Sequence, residues 1–216
     1  MELAAPVFED IYRDYLAQLE QAWPGLTLTD LGVERRGEAV AARLFGQDYL
    51  VTPAGISDQA GRKPSHARCV VLAKYLLARP GPVLPRGQWT SYRGFKDAAP
   101  YAGSFAMYAE GRIAKAFAGR RAELAAACAA LGAAAPPEEF NYDLSLHFYA
   151  LPRVPMLMLF NDQDEDFPAS CSLLFDESAP SFLDMECLAI LGLVMAEVLD
   201  QPLSGGDAAQ APSMIS

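Results

Sequence analysis

From Val7 to Ala22 the apolar positions Phe8, Ile11, Tyr12, Tyr15, Leu16 and Leu19 recur at helical spacing, and Pro24-Gly25 ends the run. The pattern predicts an amphipathic helix, followed by one short turn over Thr27 to Leu31. AVAARLF (39–45) and DYLVT (48–52) are β-prone runs on either side of Gly46-Gln47, which reads as a hairpin. The polar stretch PAGISDQAGRKP reads as a loop leading into a helix from Ser65 to Ala78. Apolar side chains cover most of that helix's circumference, so the sequence predicts that it is buried. PGPVLPRG is a proline-rich crossover, and QWTSYRGF (88–95) has room for no more than an edge strand or extended loop. The alanine-rich segment from Tyr101 to Leu131 predicts two helices divided at Gly119, the second ended by Gly132 and Pro136-Pro137.

Further on, LSLHFYAL (144–151) alternates, with Leu144, Leu146 and Phe148 on one face and Ser145, His147 and Tyr149 on the other. VPMLMLF (154–160) is apolar on both faces, as a central strand is, and SCSLLF (170–175) reads as its neighbour. Ser181-Phe-Leu-Asp184 resembles a capping box opening a last helix with Leu183, Cys187, Leu188, Leu191, Val194 and Val198 on its core face. Helices segregate from strand meanders, so the expectation is α+β, a mainly antiparallel sheet of about five short strands packed with about five helices. Residues 1–203 are expected to form a single domain, with 204–216 a disordered tail.

The totals narrow the class. A chain of 216 residues with 52% hydrophobic and 20% charged residues buries a core and is globular. A net charge of −10 and a pI near 4.6 argue against nucleic acid and anionic membranes as partners, since both need basic surfaces. No signal-like leader and no apolar run of spanning length is present, and Cys69, Cys128, Cys171 and Cys187 are scattered among apolar residues. That usage reads as reduced, buried thiols in a cytoplasmic protein.

Candidate chemistry gathers in four places. Asp162, Asp164 and Asp166 begin a D-x-D-x-D run, but Phe167 and Leu173 stand where a calcium loop needs glycine and glutamate. A solvated turn between two strands is the preferred reading, and no metal site is assigned. GISDQAGRKPS (55–65) lies between a strand and a helix, where Arg62, Lys63 and His66 would attract a small anion, although its spacing is not that of a nucleotide-phosphate loop. His147 shares a strand face with Ser145 and Tyr149. Trp89, Tyr92 and Arg93 open an aromatic-rich segment of the kind that lines small-molecule pockets. These three, with Asp164 and Asp166, form the candidate ligand site.

VVLAKYLLA, QWTSYRGF, PYAGSFA and the block from Pro152 to Glu186, in this order, resemble a prokaryotic family, domain of unknown function 3786. The most specific matches are Pro152 to Pro155, Asp164 to Pro168, Ser172 to Asp176 and Leu183 to Glu186, within a resemblance covering roughly residues 40–200. The resemblance implies an anaerobic setting, in which some relatives carry an added iron–sulfur module. This chain has no closely spaced cysteines to hold such a cluster. No activity comes with the family, and no cofactor is assigned. Two functional expectations follow. The first is a soluble binding or accessory protein for a small molecule or protein partner, linked to anaerobic redox or one-carbon metabolism. The second is an enzyme with His147 or an acid of the 162–166 turn as general base.

Overall fold

A computed structural model describes residues 5–200, so the tail expected over 204–216 lies outside the described residues. The strands form two antiparallel four-stranded sheets, not the one sheet of about five strands that the pattern suggested. After helix α1 (Ala5–Ala22) and the one-turn α2 (Leu28–Leu31), the first sheet is a meander of β1 (Glu34–Arg36), β2 (Ala39–Leu44), β3 (Gln47–Thr52) and β4 (Gly55–Asp58). Two of these strands escape a search for apolar alternation. β1 is Glu-Arg-Arg, exposed throughout, and β4 offers only Ile56 to the core. Ile56 also donates its backbone N–H to the Tyr12 hydroxyl at 2.9 Å, which ties α1 to the sheet.

The β2–β3 turn is Phe45-Gly46, one residue earlier than expected, because Leu44 pairs with Gln47. Both turn residues take positive φ, 47° and 74°, as a tight two-residue hairpin demands. A bulky side chain is costly there. Phe45 accepts the conformation while burying its ring 6.0 Å from Phe148 and donating its N–H to the Ala150 carbonyl at 2.9 Å. That bond links the first sheet to the second.

Helix α3 (His66–Leu77) is buried along most of its surface, as its composition predicts. The alanine-rich stretch forms α4 (Ala99–Phe105), a π-helical turn (Ala106–Glu110), α5 (Gly111–Phe117) and α6 (Arg121–Ala130), with the break at Gly119 where expected. The second sheet runs β5-β8-β7-β6, from β5 (Trp89–Ser91), β6 (Leu144–Leu151), β7 (Val154–Asn161) and β8 (Ser170–Asp176). Helix α7 (Met185–Leu199) is capped by Asp184, whose carboxylate accepts from the Cys187 N–H at 2.9 Å. Ser181, the expected cap, lies instead in a short 3-10 turn.

Seven of the eight residues of β7 are buried, and its two faces meet different surroundings. Met156, Met158 and Phe160 join a core cluster that draws on both sheets and all seven α-helices. Leu157 and Leu159 are buried on the opposite face, outside that cluster. No helix among the described residues is long and apolar enough to cross a membrane.

Candidate functional site

The face of the second sheet that carries Leu157 also carries the residues of greatest chemical interest. Directly paired antiparallel residues share a face. Ser91 pairs with Leu174, Leu174 with Leu157, and Leu157 with His147, which places both outer strands on one surface. Their backbones stand three strand spacings apart, about 14 Å. Trp89 reaches across this gap, and its ring centroid lies 5.5 Å from that of His147 at 66°. Tyr149, two residues along β6, meets the other side of the imidazole at 5.2 Å and 80°. Tyr149 is half exposed, whereas Trp89 and His147 are partly buried.

Two polar side chains of this face, His147 and Ser145, lack hydrogen-bond partners among the described residues. The His147 ring makes no hydrogen bond or ion pair among the described residues, and burial lowers its pKa below the usual histidine value. The imidazole is therefore neutral at pH 7, with one nitrogen a donor and the other an acceptor. Beside it, the Ser145 hydroxyl oxygen is buried with no hydrogen-bond partner. Among the described residues no carboxylate hydrogen-bonds the imidazole.

Trp89 is held beside a carboxylate on the same face. It pairs with Asp176, which among the described residues is the one buried charged side chain. Burial alone would push that carboxyl up. Hydrogen bonds from the Ser178 hydroxyl and N–H and from the N–H groups of Arg86 (2.9 Å) and Gly87 (2.7 Å) outweigh it, leaving the pKa below the usual carboxylate range. The end of the proline-rich crossover is thus fastened to β8, and the Glu177 N–H adds a bond to the Gln88 carbonyl at 2.8 Å.

Beyond Tyr149 the face opens into a groove of about 320 Å³ between the two sheets. Gly32, Ala41, Leu151 and Pro152 contribute apolar wall, and Glu34, Arg36, Arg43 and Asp48 contribute charge of both signs. Arg43 pairs with Asp48 at 3.0 Å, while Arg36 makes no ion pair among the described residues.

A family model described as Domain of unknown function (DUF3786) matches residues 27–198. The chain belongs to the DUF3786 family. No curated protein and no solved structure matches it. The DUF3786 span runs from α2 into α7 and takes in both sheets, the aromatic face and the groove.

The other sequence candidates in the DUF3786 unit do not join this face. Tyr92 is buried on the core side, stacked 4.5 Å from Phe105, with its hydroxyl donating to the Met185 carbonyl at 2.7 Å. Arg93 is exposed, and its charge acts on Glu110 of the π-helical turn. Asp164 and Asp166 lie in the β7–β8 turn, at the end of β8 away from Trp89. The seven residues of β8 put roughly 20 Å between them. Asp164 accepts from the Asp166 and Phe167 N–H groups at 2.8 and 2.7 Å, and Asp162 from those of Gly119 and Gln163 at 2.6 and 2.8 Å. These acids organise their own turn, and Asp162 and Asp164 line a separate cavity of about 520 Å³ with Asp143, Asn161 and Phe167.

In the basic loop, Arg62 pairs with Asp58 at 2.9 Å, and Lys63 pairs with Glu9 at 2.8 Å while lying over the Tyr12 ring. His66 opens α3, and burial holds its pKa below the usual value. Arg62 and Lys63 are thus each already matched by an acid. Among the described residues no group of three or more His, Cys, Asp or Glu side chains could hold a metal ion. Sequence reasoning placed Asp176 only within a family match and gave it no role, and it missed Glu110, since an acid in an alanine-rich helix carries no motif.

Proposed function

We propose that this chain is a single-domain small-molecule-binding protein whose site is the aromatic face of the second sheet with its adjoining groove. One observation carries the reading: Trp89 and His147 converge from opposite edges of the sheet, and the imidazole has no hydrogen-bond partner of its own. Aromatic walls with a few unsatisfied polar groups are what small ligands select. The groove of about 320 Å³ lies at the small end of the usual range, roughly 300–1,000 Å³. Four free, buried cysteines support a reducing cytoplasm as its setting. An accessory role in anaerobic redox or one-carbon metabolism is the context we attach to the family resemblance.

Thermal unfolding against a library of metabolites and cofactors tests the site. A true ligand at about a hundred times its Kd adds about 2.7 kcal/mol, a rise in Tm of roughly 5–10 °C for a chain of this size. Trp89→Ala and His147→Ala are expected to abolish the rise while preserving far-UV circular dichroism. A library without any response in the wild type, or variants that respond as the wild type does, would remove the basis of the proposal.

A further inference from the structure

We infer that the cavity between the Phe95–Tyr101 segment and the start of α7 is a second binding site, which takes a small organic ammonium ion carried on an apolar body. The site stands apart from the aromatic face and does not rest on it. The aromatic-rich stretch that the sequence marks for small-molecule chemistry lines this cavity through Phe95 and Tyr101, not through Trp89. Its volume is about 710 Å³, within the usual range for ligand pockets and more than twice that of the groove beside Tyr149.

The walls are fixed yet open to solvent. Phe95 packs its ring 6.3 Å from that of Phe175 while staying partly exposed, and Tyr101, in the first turn of α4, is also partly exposed. The Phe95 N–H donates to the Tyr92 carbonyl at 3.2 Å, and the Tyr92 hydroxyl donates to the Met185 carbonyl at 2.7 Å. That pair of bonds ties one side of the cavity to the other. Leu183 adds a buried apolar surface.

Charge selects the guest. Of the charged side chains that line the cavity, Lys96 is basic, whereas Asp97, Asp184 and Glu186 are acidic. Asp184 is already engaged, because its carboxylate caps α7 and pairs with Lys74 at 2.7 Å. The cap meets the helix start's preference for negative charge, so an incoming anion gains little there. Asp97 and Glu186 make no ion pair or side-chain hydrogen bond among the described residues. An ammonium ion finds these two carboxylates and the rings of Phe95 and Tyr101, whose quadrupoles attract cations. Its apolar body is covered by Leu183 and Met185. A carboxylate guest would meet Lys96 alone against the acids.

Titration of the isotope-labelled full chain with phenethylammonium, phenethyl alcohol and phenylacetate tests the inference, with amide chemical shifts reading both affinity and location. We expect the ammonium ion to bind roughly tenfold more tightly than the alcohol, and phenylacetate to bind more weakly than either. The shifts should centre on Lys96, Asp97, Met185 and Glu186. Asp97 has a φ of 67°, which asparagine tolerates well, so Asp97→Asn keeps the backbone while removing the charge. Combined with Glu186→Gln, it should bring the preference for the ammonium ion below about threefold. Lys96→Ala should tighten the ammonium ion by about twofold, the opposite of its effect on an anion site. His147→Ala should leave affinity within about twofold, since this residue belongs to the other face. The ammonium assignment is overturned if the alcohol binds as tightly, if phenylacetate binds best, if the preference survives the double variant, or if Lys96→Ala weakens the ammonium ion. Shifts centred elsewhere, loss of binding in His147→Ala, or no shift at the solubility limit of all three probes would overturn the site itself. The aromatic face is judged separately, by the Trp89→Ala and His147→Ala thermal data.

Discussion

Asp176 is a buried carboxylate whose compensation comes from hydrogen bonds, with no cation paired to it among the described residues. Its folded pKa lies below the ordinary carboxylate value, so the unfolded chain binds more protons than the native one in the acid range. Its contribution to stability is therefore complete above the ordinary carboxylate pKa and is lost as pH falls through the lower folded value. Asp176→Ala leaves the Arg86, Gly87 and Ser178 amides unpaired and should cost about 3 kcal/mol at pH 7. Asp176→Asn should flatten the acid limb of stability. Urea midpoints measured from pH 3 to 7 check both. Neither the importance of Asp176 nor the modesty of Asp164 was legible in the sequence. A carboxylate's role depends on which backbone amides surround it, and the amides of Arg86 and Gly87 are remote in the chain. His147 was legible as a strand-face residue, because alternation fixes the face, but its meeting with Trp89 depends on strand order.

The element that most shapes the second sheet's edge is the π-helical turn. β5 ends at Ser91 opposite Leu174, so the next amide along the β8 edge, that of Leu173, has no strand to pair with. The π-helical turn sets Glu110 against it, and the carboxylate accepts that N–H at 2.9 Å. Burial raises the Glu110 pKa, against the pull of the Leu173 amide and the Arg93 charge. The native state holds its proton longer than the unfolded chain, so this contribution to stability is lost as pH rises through the folded value. Glu110→Gln keeps the acceptor and should remove that fall, whereas Glu110→Ala should cost about 1–3 kcal/mol by orphaning the amide. Chemical denaturation at pH 5 and 8 separates the two. Helix α7 approaches the same turn at Gly192, where a Cβ would drive into the Phe105 ring and lie 3.1 Å from the Ala109 Cβ. Gly192→Ala is expected to lose about 1–3 kcal/mol through overpacking, read from the shift in Tm. Long periodic elements such as α3 and α7 were visible in the pattern. β1 and β4 were not, since a charged edge strand and a four-residue strand have no alternation to display.

Across the whole molecule, the residues grouped by sequence into one ligand site are dispersed to three places. Trp89 faces His147, Tyr92 and Arg93 belong to the core side and the helical edge, and the acidic turn lies roughly 20 Å away at the far end of β8. The double variant Asp164→Ala, Asp166→Ala should therefore leave the ligand-induced rise in Tm unchanged, as measured by thermal unfolding, while loosening the turn it organises. An α+β class was readable from the segregation of helices and strands. The division into two sheets was not, because it depends on β2 meeting β6 through the Phe45 amide, a contact with no local signature. The anchorage of Arg86 and Gly87 by Asp176 has one more consequence. The crossover between Ala78 and Pro85 is a tether whose far end is fixed independently of its length. Closure entropy grows only slowly with added residues, about 0.6 kcal/mol per doubling. Ten glycine and serine residues inserted at Gly81 should lower stability by less than about 1 kcal/mol and leave Trp89 seated, so this stretch is free to lengthen over evolution without redrawing the binding face.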